Sequence, residues 1–594
     1  MITLQNIIFP EPAICTEHPL YFHTSGPAGF SQSEGTIWLG QGGTVALDTY
    51  FNLFSLSKWI RACDLQTLLF ELSGSGRIEL RVVQAISERS WELLFCDIVT
   101  LEPGSPQVVD LTDLIIRPAQ SLIFVEIRCL DPEGVRITGG RFATRDTPGS
   151  AEGILPSLAI SITTFKREEQ VRETVARLED FLAGFPYADR IRVQVVDNGD
   201  SAGIAASDRV VPFINPNYGG AGGFARGLQE AEKAGFSHVL FMDDDASFDM
   251  ESIARTYMFL AFSRNPRTAV SGAMINNTHK WAMWENGAWF DGSCHPLYCG
   301  TDLRNPARVI EMEHETLRNR PATLYGGWWF FAFAIAEVRH RPFPFFVRGD
   351  DISFSLMNDF DITTLNGVVS FQDDFSEKES AQTLYLDLRN HIIQHLVTPG
   401  LQRSALGTAK VPIRFIMRSL LRFHYESAEA QLLAWEDVMR GPGFFDDNID
   451  MSQRRADIKA MMQTEVWAPV DAAAIHEKKR LTRRSRPRRT RLGIYTLNGH
   501  LVPFSRRRWD RIMLTMADRG IVYPAFGAAE ITYLNATRDK AYTVTQSKAR
   551  FFSICWKMLK MTLRFRREFD ALKDTYRGGY DELTTPGYWE RKLA

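Results

Sequence analysis

The chain has 594 residues, too many for one hydrophobic core, so roughly three or four domains are expected. It is 45% hydrophobic and 23% charged with a net charge of −3, a globular composition that offers no global field to recruit nucleic acid. Seven scattered cysteines with no C-x-x-C pair exclude a disulfide frame and read as reduced thiols of the cytoplasm.

In chain order, the opening MITLQNIIFPEP lacks the charged-then-apolar layout of a signal peptide. Residues 1–150 read as a β-sandwich. Runs such as IELRVVQAI and SLIFVEIRCL have strand composition, turns are expected at GSGR, EPGSP and DPEG, and Trp38 with Leu47 to Trp59 supplies bulky anchors. Those aromatics suit either a packed core or a carbohydrate-binding face. Residues 151–400 alternate strands with helices: LAISITTF, then KREEQVRETVARLEDFLAGF, IRVQVVDN, a glycine-rich loop, LQEAEKAG and HVLFMDD. That order predicts an α/β domain with a parallel sheet whose ligands bind beyond the carboxyl ends of its strands. The most apolar run, Tyr325 to Ala336, is too short to span a bilayer, so a soluble or peripheral protein is expected. Residues 401–475 read as helical. Residues 476–594 read as a basic linker and a C-terminal domain ending in an amphipathic helix. Nine of the fourteen residues from Lys478 to Arg491 are basic.

Five motifs carry candidate chemistry. In MDDDAS, Asp243 and Asp245 point the same way from a strand end, the arrangement that grips Mg²⁺ or Mn²⁺ beside a diphosphate, although acidic triplets also occur on solvated loops. In NPNYGGAGGFARG, Asn217, Gly222 and Gly223 let the backbone approach a phosphate or base, and Arg226 offers a guanidinium fork. A flexible turn is the competing reading. In VVDNG, Asp197 and Asn198 suit a base edge or ribose, or an ordinary Asx turn. In GGWWFFAF, one of Trp328 and Trp329 is expected to stand in a groove and stack on a sugar ring, unless both serve the core. In VRGDD, Asp350 and Asp351 suit a general base, a helix cap, or one of each.

Taken in order, TTFKR, VVDNG, the glycine-rich segment, MDDD, GGWW, DD and YLDLRN resemble family 2 glycosyltransferases of the GT-A fold. More narrowly they resemble bacterial galactofuranosyltransferases that polymerise cell-wall galactan, and the likeness extends to DTYFN, SGSGRIEL and the closing FFSICWKMLKMTLRFRREFDALKDTY. The resemblance implies four domains, with a β-sandwich, a GT-A domain and mostly helical C-terminal parts. It implies UDP-galactofuranose as donor, Mn²⁺ or Mg²⁺, inversion at the anomeric carbon, and homotetramers at the membrane. Asp243 and Asp245 match the metal ligands, Asp351 the base with Asp350 beside it, and Trp328 and Trp329 the acceptor site. Thr164, Arg167, Asp197, Asn198, Asn217, Gly222, Gly223, Arg226 and Asp244 fall to the donor nucleotide. Two positions depart from the pattern. Gln372 stands where the family has a metal-ligand histidine, with Asp373 and Asp374 as substitutes, and Asp387 stands where an active-site histidine is found.

The resulting expectation is an inverting, metal-dependent transfer of a sugar from a UDP-sugar to a hydroxyl of a growing, lipid-linked polysaccharide. The enzyme would sit peripherally at the inner face of the cell membrane on anionic lipid. The alternatives are another nucleotide sugar, such as another furanose or rhamnose, an inactive glycan-binding homologue, and a nucleotidyltransferase.

Overall fold

A computed structural model describes the chain except residues 88–89, 116–120, 150–153, 245–246, 319, 374–378, 471–478, 481–486 and 506–508. The N-terminal part is built on a 19-residue strand, Leu69–Ser87. Its first part pairs with Val135–Thr144 and Gln107–Asp110, and its second with Ser90–Leu101 and Leu122–Cys129. The turn expected at GSGR is therefore absent. That segment is where the strand leaves one ladder for the other, with Gly76 at φ 99° making the change of direction. Turns do form at EPGSP and DPEG. Trp59, Phe51 and Phe54 are core residues, whereas Trp38 is 46% exposed and lies over Gly40 and Gly134 at the surface.

The central unit is an eight-stranded mixed sheet. Its strands are β1 (Leu158–Thr164), β2 (Ile191–Asp197), β3 (Val210–Ile214), β4 (His238–Asp243), β5 (Thr268–Asn276), β6 (Met283–Glu285), β7 (Phe330–Ala334) and β8 (Asp361–Gln372). The order is 3-2-1-4-7-5-6, with β8 paired to β5. Strands β1 to β4 run parallel and β7 runs antiparallel between β4 and β5. Helix α1 (Glu168–Gly184) follows β1 and buries Val171, Thr174, Val175, Leu178 and Leu182, a one-sided stripe at helical spacing. Helix α2 (Gly219–Lys233) takes in the glycine-rich segment, which is helical, not a loop. A Cβ on Gly223 would lie 2.2 Å from Thr163 Cγ2, and one on Gly227 1.8 Å from Ser161 Oγ. These glycines let α2 press onto β1.

The N-terminal strands and the central sheet share one apolar core. The join is polar as well. In helix α3 (Glu251–Phe262), the buried Arg255 donates to Asn6 O and Asn366 O at 2.9 Å each, and Glu251 accepts from Asn6 N at 2.6 Å. Lys58 pairs with Glu313 at 2.6 Å, both buried.

A second core gathers helices α5 (Ala381–Val397), α6 (Ala405–Leu421), α7 (Tyr425–Val438) and the 36-residue α8 (Lys548–Leu583). Beside these helices the C-terminal portion has an element that was not expected. It holds a five-stranded sheet centred on β9 (Asp510–Thr515), β10 (Ala528–Leu534) and β11 (Lys540–Thr545), with Ala468–Pro469 and Lys479–Arg480 at its edges. The chain ends in α9 (Pro586–Leu593). Of the basic run expected to bind lipid, residues 478 and 481–486 lie outside the described residues.

Candidate active site

The carboxyl ends of β1, β2 and β4 bring three predicted motifs side by side, since Thr164 is in register with Asp197 and Thr163 with Asp243. At this edge Thr164 Oγ1 donates to Asp244, and Arg167 lies 3.4 Å from the other oxygen of the same carboxylate. Asp197 is used structurally: its carboxylate accepts from the backbone N–H groups of Gly199, Ser201 and Ala202 at 2.7–2.9 Å. Asn198 is buried, donates to Gly219 O at 3.0 Å and accepts from Asn215 at 2.8 Å, tying β2 to the start of α2. Asn217 Oδ1 accepts from Gly219 N at 3.2 Å.

Two nucleotide expectations are corrected. Gly222 and Gly223 are packing residues, since a Cβ on them would strike Tyr218 and Thr163 respectively. Arg226 points toward the chain's end: it donates to Leu593 O at 3.0 Å, pairs with Glu230 at 3.0 Å and lies over the Phe213 ring.

Beside this edge opens a cavity of about 520 Å³, a size suited to a small ligand. Asp243, Gly220, Trp328, Trp329, Asp350, Asp351 and Asp387 line it. It thus joins the metal, base and acceptor motifs of the sequence. Neither tryptophan stands free in a groove: exposures are 5% and 8%, and Trp329 Nε1 donates to Gly272 O at 3.0 Å. Trp328 packs edge-on against Phe224, Phe241 and Phe354, and its Nε1 has no hydrogen-bond partner among the described residues. Core and cavity readings both hold, because each ring is buried on one side and lines the cavity on the other.

The loop that delivers Asp350 and Asp351 is bent sharply. Phe346, Arg348 and Gly349 all have positive φ, at 73°, 74° and 78°. For the two non-glycine residues this costs on the order of 1–3 kcal/mol each and persists only where neighbours hold it. Helix α5 holds it. Asn390 Nδ2 donates to Val347 O at 3.0 Å and Arg348 O at 2.6 Å, Arg389 Nη2 to Phe345 O at 2.5 Å, and Gln394 Nε2 to Gly349 O at 2.9 Å. On the other side Ala221 N donates to Phe346 O at 3.1 Å. Helix α4 (Asp350–Met357) then starts at the acidic pair, and Asp351 accepts from Ile352 N at 2.8 Å.

Electrostatics mark the cavity. Burial pushes the Asp350 and Asp351 carboxyls up, Asp351 to about 6, with the Ile352 N–H and Arg348 opposing at Asp351 and the Asp351 charge adding to the rise at Asp350. Burial raises Asp387 to about 6 against the pull of Arg348, and burial plus the Asp351 charge raises Glu285 to about 8. His391 is pushed down to about 3 by burial, with His395, Arg348 and Arg414 adding. Such displaced values concentrate where chemistry is done.

Sequence reasoning missed Glu285, Arg348, His391, Arg418 and Arg422, all of which line the cavity. Two of them were within reach. Arg348 precedes the DD pair, and His391 lies one turn after Asp387 on the same helix face.

For a metal, the described donors are oxygen atoms. Asp243 ends β4, and Gln372 Nε2 at the end of β8 lies 3.4 Å from Asp243 Oδ2. Asp373 is exposed, with Asn277 Nδ2 at 3.4 Å. No cluster of three His, Cys, Asp or Glu side chains forms among the described residues, and Asp245 and Asp374 lie outside them. The Gln372 amide turns its Nε2 toward Asp243; with its oxygen turned inward instead, amide and carboxylate would offer oxygen donors of the kind that suit Mg²⁺ or Mn²⁺.

Residues 159–314 match the profile of Glycosyl transferase family 2. Galactofuranosyltransferase GlfT2 of Mycobacterium tuberculosis is 23% identical over 633 residues, covering 99% of this chain and 97% of that protein. Galactofuranosyltransferase GlfT2 of Mycolicibacterium smegmatis is 24% identical over 654 residues, covering 99% and 96%. Among solved structures, mannosyltransferase PcManGT from Pyrobaculum calidifontis matches at 14% identity over 53% of this chain and 86% of that chain. Its TM-score is 0.28. Residues 159–314 form a glycosyl transferase family 2 domain on a GT-A-like mixed sheet, and the chain is a glycosyltransferase.

Proposed function

We propose that this glycosyltransferase transfers galactofuranose from UDP-galactofuranose, with inversion, to a hydroxyl of a growing bacterial polysaccharide. The single observation that carries the reading is the cavity that joins Asp243, at a strand end, to the Asp350–Asp351 pair across from it. The near full-length likeness to mycobacterial galactofuranosyltransferases supports the choice of sugar.

In this reading the acceptor hydroxyl oxygen attacks the anomeric carbon as the bond from that carbon to the UDP oxygen breaks. The electron pair leaves with UDP, and the acceptor proton passes to Asp351. A carboxyl titrating near 6 is mostly ionised at neutral pH yet basic enough to take that proton. Arg348 steadies the ionised form. Trp328, Trp329 and Asp387 form the acceptor wall, and Thr164, Arg167, Asn198 and Asp244 border the donor's nucleotide. A divalent cation held by Asp243 and Gln372, with Asp245, Asp373 and Asp374 as further ligands, would supply neutralising charge to the diphosphate.

No helix among the described residues is long and apolar enough to cross a membrane. Peripheral docking on anionic lipid is part of the proposal, and α8 supports it. Phe552, Trp556, Leu559 and Leu563 are 48–60% exposed at helical spacing, beside Lys557, Lys560 and Arg566. A homotetramer is proposed with it.

A donor panel tests the reading. Purified protein is assayed for turnover with UDP-galactofuranose, UDP-galactopyranose, UDP-glucose and dTDP-rhamnose. Preference for the first is expected. Preference for another donor changes the sugar, and binding of glycan without UDP binding or turnover overturns the enzymatic reading.

A further inference from the structure

Trp38 lies far along the chain from the transfer cavity and is not among the residues that line it. It stands on the strand Thr36–Leu39, which is paired on one side with Ala28–Ser31 and on the other with Val135–Thr144. Ile37, Leu39, Val135 and Ile137 are buried, so the alternate positions, Trp38 and its cross-strand partner Arg136, share the outer face of the sheet.

The indole is laid flat on that face by glycines. A Cβ on Gly40, two residues on, would lie 3.1 Å from the ring carbon Cη2. One on Gly134, two residues before Arg136, would lie 3.0 Å from Nε1. The far end and the near edge of the ring therefore both rest over bare backbone, which turns one face of the indole inward and the other to solvent, 46% exposed. The flank toward Gly29, the other cross-strand partner of Trp38, is also open, since a Cβ there would meet nothing within 4 Å.

The rim of this surface is polar. Arg136 stands beside the indole and pairs with Glu34 at 3.5 Å, with the two side chains 62% and 56% exposed. An ion pair so exposed is worth little and is readily re-partnered. The Ser31 and Ser33 hydroxyls lie 3.4 Å apart on the adjoining hairpin. Trp38 is the one large apolar side chain exposed on these three strands, so the face lacks the broad apolar centre of a protein interface. One flat indole bordered by a guanidinium, a carboxylate and hydroxyls matches a ligand with an apolar C–H face of about ring size and hydroxyls at its edge.

We infer that this face binds a sugar ring of a glycan chain, stacked on Trp38, with ring hydroxyls bonded to Arg136 and Glu34. The inference stands apart from the identity of the transferred sugar.

The test is fluorine NMR on the full chain labelled with fluorotryptophan, the Trp38 signal being assigned by its absence from Trp38→Phe. Galactofuranosyl hexasaccharide, xylohexaose and maltohexaose are the probes, each to about 10 mM, because one stacked ring with a few exposed hydrogen bonds corresponds to a Kd on the order of 1 mM. At least one should shift the Trp38 signal saturably, while UDP leaves it in place. A shift by the galactofuranosyl probe identifies the proposed product as the ligand, and a shift by either of the others identifies a second glycan; each supports the inference. Gly29→Ile puts a branched side chain into the open flank and should weaken binding at least about tenfold with the Trp38 signal retained. The signal is read without donor or turnover, so failure here is distinct from failure of the transfer reading. The inference is overturned if no probe moves the Trp38 signal at about 10 mM, if UDP moves it as the glycan does, or if Gly29→Ile binds the effective glycan as tightly as the parent.

Discussion

Asn390→Ala isolates the link between helix α5 and the acidic pair. The side chain is fully buried and its amide donates to two successive carbonyls, Val347 O and Arg348 O. Truncation leaves both short of a donor, at about 1–3 kcal/mol each when buried. The held loop stores strain of similar size, because Phe346 and Arg348 are both left-handed. The clamp and the strain are therefore near balance, and loss of the clamp releases the loop. If about 2–3 kcal/mol of holding energy is lost from the productive arrangement, kcat falls about 30- to 150-fold. Asn390→Asp keeps the size but aims a carboxylate at two carbonyls, so it should do no better. The assay is single-turnover sugar transfer together with UDP calorimetry and thermal denaturation. A second readout separates positioning from simple destabilisation. Arg348 opposes the upward shift of Asp351, so a released loop should move the acid limb of kcat above about pH 6. A variant with lowered Tm but kcat within about threefold of the parent, and an unmoved acid limb, would refute the argument.

Four further outcomes are expected. Asp351→Asn should lower kcat on the order of a hundredfold with UDP affinity nearly unchanged, and the parent's kcat should rise with pH through about 6 as Asp351 ionises; a flat profile would place the base elsewhere, first at Asp350. Asp243→Ala and treatment with EDTA should each abolish turnover, and Gln372→His should shift preference from Mg²⁺ toward Mn²⁺, because imidazole softens an oxygen-only site; full activity in EDTA would end the metal proposal. Glu285 is raised to about 8, so the folded state holds a proton that the unfolded state releases near its ordinary value, and the stability this gives is lost as pH rises through about 8; Glu285→Gln should flatten the fall of Tm between about pH 5 and 8, and an unchanged slope would count against it. Sedimentation with vesicles should need anionic lipid and weaken between low and high salt, since screening acts over about 8 Å at physiological ionic strength; equal binding to neutral vesicles would leave only the apolar stripe of α8 as the contact.

The central sheet was legible because its strands are continuous apolar runs and its helices have one-sided stripes, patterns that burial on both faces of a parallel sheet imposes. The C-terminal sheet was not. ITYL and AYTV are short strands between turns and basic helical segments, and the strong helical period of α8 dominated the reading. The glycine-rich segment misled in a specific way. Glycines at 219, 220, 222 and 223 resemble a loop that cradles phosphate, but glycine also serves wherever a helix must touch a strand, and composition alone does not separate the two uses. The single strand Leu69–Ser87 was split at GSGR for the same reason: a glycine that redirects a strand looks like one that ends it.

The site itself was partly written in the motifs, because acidic residues at a strand end and at a helix start are local signals. What sequence reading did not supply was the support between them. Helix α5 was read for Asp387 alone, yet Arg389, Asn390 and Gln394 are each 0–1% exposed. Buried polar side chains in a helix must find partners, and here the partners are the carbonyls of the strained loop. The acidic pair is thus fixed from two directions, by α2 pressed close through its glycines and by α5 through its amides. Asp243 is fixed independently, by the register of β4 in the sheet. Transfer requires the two acidic groups to keep their places across one cavity while donor and acceptor differ in size and come and go. Rigid supports from separate elements accomplish this, so substitutions in α5 that never touch a substrate should affect turnover more than they affect donor binding.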